Sequence, residues 1–180
     1  MVLSNEWDEA NSENYDAAVI VALGSNLSVF PDAPDDILRA ALDEFRQSGL
    51  TVVRRSSFWC SAAWPDPSQP EYINAVALVE TTLSSHDVLT RLHDLEARFG
   101  RVRDTPNAAR TLDLDLIAYG REVRAETPIL PHPRAAERLF VMGPLAEIAP
   151  GWLHPVSGRP ARDLARDATV GCDAKPMANP

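Results

Sequence analysis

The chain of 180 residues has one lysine, Lys175, and two cysteines, Cys60 and Cys172, which stand far apart and outside any C-x-x-C or Cys/His spacing. This scarcity argues against a disulfide framework or a cysteine-based zinc site. Cys60 reads as a small buried hydrophobe in a strand-like run, and Cys172 falls in a tail. No apolar run approaches the ~20 residues a membrane helix needs, and the N-terminus lacks the basic and apolar regions of a signal peptide. A cytoplasmic protein with no membrane partner is therefore expected. A G-x-x-x-x-G-K-[ST] loop is also missing, so any phosphate chemistry must use something other than a P-loop. Basic charge is short overall: the net charge is −9, which argues against a nucleic-acid partner. Residues 1–16 hold Glu6, Asp8, Glu9, Glu13 and Asp16 with no basic residue, and such an acidic leader is expected to be disordered.

What is present is the composition of an ordinary globular domain, 45% hydrophobic and 24% charged. The expected organisation is a leader over 1–16, one domain over 17–168 and a flexible C-terminal tail over 169–180. Within that domain, Ala17–Leu23 is a short apolar run closed by a turn at Gly24-Ser25-Asn26, which reads as a buried strand. Asp32–Ser48 carries Ile37, Leu38, Ala41, Leu42 and Phe45 at helical spacing, with Gly49 as the stop. Leu50–Phe58 reads as a second strand, Ala62–Pro70 as a proline-rich loop, and Tyr72–Leu83 as a third strand. Ser84 or Ser85 caps a second helix to about Phe99, with Val88, Leu92 and Leu95 inward and Gly100 as its end. A further strand follows at Arg110–Tyr119, then a short hairpin at Gly120–Val123, one or two helical turns at Ala135–Phe140 and a short helix near Ala161–Asp167. The order strand, helix, strand, strand, helix, strand is that of the ferredoxin-like split fold, so an α+β domain with helices on an antiparallel sheet is expected.

Chemistry concentrates in R-T-L-D-L-D-L-I-A-Y at 110–119. Strict alternation puts Asp113 and Asp115 on one face of a strand, roughly 6 to 7 Å apart at Cα. Two carboxylates this close repel, and a half-buried one takes up a proton unless a cation joins them. Magnesium suits such a pair, because it accepts one or two carboxylates together with waters and phosphate oxygens. Standing alone, the same pattern also reads as a solvated strand face. Nine arginines lie between Arg91 and Arg138, with Arg101, Arg103 and Arg110 flanking the pair. Their planar forks of donors match phosphate oxygens. His132, pinned between Pro131 and Pro133, suits a fixed hydrogen bond. Tyr72 and Asn74 share a strand face, where a ring and an amide can stack on and read a flat heterocycle. In isolation each of these also has a structural reading.

Taken together, V-A-L-G-S-N-L at 21–27, Q-P-E-Y-I-N-A-V at 69–76, G-R-V-R at 100–103, R-T-L-D-L-D-L-I at 110–117, L-P-H-P-R-A-A-E-R-L-F-V at 130–141 and P-L-A-E-I-A-P at 144–150 resemble the 6-hydroxymethyl-7,8-dihydropterin pyrophosphokinase family of folate biosynthesis. The resemblance covers roughly residues 17–165 in family order. It implies transfer of pyrophosphate from ATP to the pterin hydroxymethyl oxygen, releasing AMP. By motif match, Asp113 and Asp115 would hold two magnesium ions, while Arg101, Arg110 and Arg138 contact the phosphates. Arg103 would support loop closure and His132 would lie on the nucleotide side. Tyr72 and Phe140 would sandwich the pterin, Asn74 would read its edge, and Glu96 matches a glutamate near the site. A stand-alone, monomeric enzyme is the expectation. The chain departs from the family in a shortened loop at 104–109 that lacks a tryptophan, in Trp64-Pro65-Asp66-Pro67 where a glycine is common, and in the acidic leader. Two other classes share the local signals: a ferredoxin-like ligand-binding or regulatory domain, and a two-aspartate nucleotidyltransferase.

Overall fold

Apolar residues fill Val19–Ser25, and in the computed structural model, which describes residues 15–29, 32–101 and 109–178, this segment forms β1, buried along its whole length. It is hydrogen-bonded on both edges, antiparallel to β4 (Tyr72–Glu80) on one side and to β5 (Asp113–Tyr119) on the other. β2 (Thr51–Arg55) and β3 (Trp59–Ser61) both line the outer edge of β4, and β6 (Lys175–Pro176) closes the edge of β3. The order β5-β1-β4-β3-β6 is that of the expected split fold.

The expected strand over Leu50–Phe58 is divided, and Ser56 is the reason. Its N–H donates to the Val76 carbonyl at 2.9 Å, while its Oγ accepts from the Val76 N–H at 3.0 Å. The side chain thus takes a position in the ladder that a backbone carbonyl would fill, and the register slips. The first turn also differs from expectation, since β1 continues through Gly24 and Ser25. No hairpin forms after β5: the Glu122 N–H closes a turn on the Tyr119 carbonyl, and the chain beyond meets its return only at the isolated bridge between Arg124 and Leu130.

Helix α1 (Pro34–Phe45) begins with proline at its first position, where the missing N–H costs nothing, and it turns Ile37, Leu38, Ala41 and Phe45 inward. A 3-10 turn and Gly49 at φ 81° end it. Helix α2 (Ser85–Arg98) is capped by Ser84, whose Oγ accepts from the Asp87 N–H at 3.2 Å. Both helices pack against Val19, Val21, Leu23, Ala77, Leu114 and Leu116 on one face of the sheet.

The opposite face is covered too. Helix α3 (Leu139–Ile148) and helix α4 (Ala161–Arg166) enclose Ile20, Val76, Leu78, Ile117 and Ala118. Only one or two turns at Ala135–Phe140 are expected from sequence there. The full helix escapes a periodicity test because Val141, Met142, Leu145 and Ile148 are all buried and Gly143-Pro144 interrupts the pattern. Beyond α4 the chain stays on the fold through residue 178: Val170 bridges Arg138 and β6 joins β3, in the segment expected as a tail. The acidic leader, up to residue 14, lies outside the described residues.

Gly143 lets α3 approach β3. A Cβ there would lie 2.6 Å from Trp59 Cζ3, and the ring is held by its Nε1–H, which donates to Glu147 at 2.9 Å. Gly143→Ala is expected to cost about 1–3 kcal/mol in urea unfolding, since neither partner can yield freely. Glu147 also accepts from the N–H and Oγ–H of Ser57, both at 2.7 Å. Burial works to raise its carboxyl, but the Trp59 and Ser57 hydrogen bonds outweigh it and hold the group below its usual range. A lowered folded pKa contributes stability above the unfolded value that is lost as pH falls through the folded one. Glu147→Gln is therefore expected to flatten the loss of stability below about pH 4.5, measured as unfolding midpoint against pH.

Candidate active site

At one end of the sheet, three neighbouring strands present a row of residues towards the α3 side. Gly24 in β1 stands opposite Asn74 in β4 and Asp113 in β5, and Ala22 stands opposite Asp115. A Cβ on Gly24 would lie 3.5 Å from the Tyr72 ring and 3.6 Å from Asn74 Oδ1, so glycine keeps this floor open at the centre. Around it close Arg101 from the end of α2, Arg110 ahead of β5, His132 and Arg134 from the loop before α3, Arg138 and Phe140 at the start of α3, and Trp64 from the proline-rich loop. The resulting cleft has a volume of about 200 Å³. It brings together Tyr72, Asn74, Arg101, Arg110, Asp113, Asp115, His132, Arg138 and Phe140, all singled out from sequence. Arg103 lies outside the described residues.

The two aspartates differ in surroundings. Arg101 Nη1 donates to Asp113 Oδ1 at 2.5 Å, and Arg110 Nη1 donates to Asp113 Oδ2 at 2.8 Å, so both oxygens are occupied. Arg101 also pairs with Glu96, which is 1% exposed and accepts the Leu114 N–H at 2.8 Å. Glu96 therefore sits behind the cleft, aiming Arg101 and fastening β5 to α2. Among the described residues, no hydrogen bond or ion pair reaches the Asp115 carboxylate. Burial pushes its carboxyl up, and the Asp113 charge adds to that; His132, Arg138 and Arg101 pull the other way.

His132 is held by its own backbone, the N–H donating to the Ile117 carbonyl at 2.8 Å. Its Nδ1 accepts from the Arg134 N–H at 3.3 Å, which assigns the proton of the neutral ring to Nε2. Burial lowers the imidazole pKa, with Asp115 opposing and Arg138 and Arg134 assisting. The Arg138 guanidinium lies 5.9 Å from the Trp64 ring centre and 5.6 Å from that of Phe140, so the two rings and the cation share one wall. Burial and Arg134 lower its pKa. At the other wall Tyr72 is half-buried, and burial raises its phenol. Asn74 Nδ2 donates to Ser61 Oγ at 3.1 Å, which fixes the orientation of the amide.

One residue behind the cleft stands out in the sequence only as part of the V-A-L-G-S-N-L motif and its turn. Asn26, 2% exposed, donates from Nδ2 to the Pro70 carbonyl at 3.1 Å and accepts the Arg110 N–H on Oδ1 at 2.8 Å. It ties the entry to Tyr72 to the segment carrying Arg110.

Residues 20–150 match the family described as 7,8-dihydro-6-hydroxymethylpterin-pyrophosphokinase (HPPK). The chain is 41% identical over 157 residues to the 2-amino-4-hydroxy-6-hydroxymethyldihydropteridine pyrophosphokinase of Synechocystis sp., covering 86% of this chain and 77% of that one. It is 42% identical over 139 residues to the protein of the same name from Haemophilus influenzae, covering 76% and 84% respectively. Among solved structures, the HPPK-DHPS of Plasmodium falciparum superposes with a TM-score of 0.62 at 11% identity, over 88% of this chain and 47% of that one, a likeness of fold.

Because its folded pKa is raised, Asp115 contributes stability that is present below the unfolded value and lost as pH rises through the folded one. Asp115→Asn is therefore expected to be more stable than the parent at pH 7 without divalent cations, with the difference shrinking towards pH 4. Urea unfolding at the two pH values checks this.

Proposed function

The chain belongs to the 7,8-dihydro-6-hydroxymethylpterin-pyrophosphokinase family, and on that premise we propose that it transfers the pyrophosphoryl group of ATP to the hydroxymethyl oxygen of 6-hydroxymethyl-7,8-dihydropterin, releasing AMP. The observation that carries this reading at the level of residues is the convergence, in one cleft, of an acidic pair, four arginines and a Tyr72–Asn74–Phe140 cluster. The first two suit a polyphosphate and the third a flat heterocycle.

The acidic pair itself has the chemistry of a magnesium site. The Asp115 carboxylate is half-buried beside a second carboxylate and has no hydrogen-bond partner among the described residues, which fits a hard cation that also takes phosphate oxygens. Among the described residues no group of three or more His, Cys, Asp and Glu converges. Asp113 and Asp115 would hold two magnesium ions, which supply charge neutralisation and in-line orientation of the phosphates.

The protein's own groups do the positioning. Arg101 and Arg110, now bound to Asp113, carry further donors for phosphate oxygens, and Arg138 offers a third cation. His132 contributes its Nε2–H on the nucleotide side. Tyr72 and Phe140 stack on the two faces of the pterin, and the Ser61-anchored amide of Asn74 reads its edge. The same reading makes the enzyme a cytoplasmic monomer without a nucleic-acid partner, its catalytic unit spanning 17–168; no helix among the described residues is long and apolar enough to cross a membrane.

Protein incubated with magnesium, ATP and the hydroxymethyl pterin is expected to yield AMP and pterin diphosphate in equal amounts, read by chromatography. Release of ADP or pyrophosphate instead overturns the proposal, the latter in favour of nucleotidyl transfer. Asp115→Ala is expected to lower kcat by at least about 10²-fold while far-UV circular dichroism stays native.

A further inference from the structure

The stretch 169–177 follows the region matched to the family and is stitched to both walls of the cleft. Its first half runs beside 137–140. The N–H groups of Thr169 and Val170 donate to the Glu137 carbonyl at 3.0 and 2.9 Å, and the Leu139 N–H donates to the Val170 carbonyl at 2.8 Å. These bonds hold the backbone that carries Arg138 and Phe140. Gly171, at φ +66°, lies directly behind the Phe140 ring, where a Cβ would stand 2.9 Å from Cε1 and nearer still to Cδ1. The ring rests on bare backbone and cannot retreat from the cleft.

The second half runs beside 58–62. Lys175 and Pro176 pair with Cys60 and Trp59, and the Met177 N–H donates to the Phe58 carbonyl at 2.8 Å. The Asp173 carboxylate accepts the Ala62 N–H at 2.5 Å. Ala62 follows Ser61, whose Oγ fixes the Asn74 amide, and it opens the loop that carries Trp64. One continuous strap therefore references Phe140 on one side and the Ser61–Asn74 pair on the other.

We infer that Asp173 and Gly171 are positioning residues that set the gap between Phe140 and the Asn74 edge, and so govern affinity for the heterocyclic substrate more strongly than affinity for the phosphates, which the strap reaches only through the backbone of Arg138. The inference rests on reading Tyr72, Asn74 and Phe140 as the pterin site. A purely structural strap would move both substrates and the unfolding temperature together. This one is expected to separate them.

The test is steady-state kinetics and thermal unfolding of the full chain. Asp173→Ala is expected to raise KM for the pterin about five- to tenfold, the effect of losing one charge-assisted hydrogen bond, with KM for ATP and Tm unchanged. Asp173→Asn, which keeps an acceptor oxygen, is expected to recover most of the loss. Gly171→Ala is expected to raise pterin KM further, by driving the ring forward. Equal changes in both KM values, no change in either, or an Asn variant no better than Ala would overturn the inference. Tyr72→Ala and Phe140→Ala separate the two layers of argument. If they leave pterin KM unaltered, the site reading fails; if they raise it while Asp173→Ala does not, only the strap fails.

Discussion

The cleft is organised by a carboxylate that stays behind it. Glu96 is buried, and a buried charge is tolerated only when its partners replace water. Its partners include the Leu114 N–H of β5 and the Arg101 guanidinium. The first sets where β5 lies relative to α2; the second aims Arg101 at Asp113. From there the connection continues through Asp113 to Arg110, then through the Arg110 N–H to Asn26, and from Asn26 to the Pro70 carbonyl just ahead of Tyr72. Apolar burial on both sheet faces supplies the bulk of the stability, but it is non-directional and does not by itself aim a polar group. This polar line does, because breaking it leaves an unpaired charge in low dielectric.

The charge distribution along that line is uneven in a useful way. Asp113 has both oxygens filled, while Asp115 has none filled among the described residues and bears the repulsion. A polyanion arriving with divalent cations would relieve the second and compete with the first for its arginines. Arginine suits such an exchange, since its fork can hold a carboxylate and a phosphate oxygen with different N–H groups at once. Burial sharpens the balance, as each of these charges is costly when it stands alone.

Much of this was legible in the sequence, and the exceptions have physical causes. Helices α1 and α2 announce themselves by one apolar face and by Ser84 and Gly49 at their ends. Helix α3 does not, because its apolar residues are not confined to one face and it holds a proline, so no period marks it. The residues of the cleft were legible as types at telling spacings, and the family resemblance tied them to a chemistry. Partnerships formed across 44 and 84 positions, as Asn26 makes with Pro70 and Arg110, leave no trace in either neighbourhood. Nor does the strap at 169–177, whose residues read one by one as a tail.

Alternation, which singles out Asp113 and Asp115, holds only as far as it is needed. Carried on to the end of β5, a strict period of two would put Asp113, Asp115, Ile117 and Tyr119 on one face. The pairing instead shifts between Ile20 and Val21, so that Ile117 and Ala118 both join the α3 face. Tyr119 is thereby turned to the α1–α2 face, where its hydroxyl donates to the Leu83 carbonyl at 2.6 Å. A bulge is the ordinary means of re-aiming a strand beside a site. Here it lets seven residues serve two cores and a cleft: Leu114 and Leu116 bind one helix layer, Ile117 and Ala118 the other, and the two aspartates occupy the stretch of sheet that α3, beginning only at Leu139, leaves uncovered.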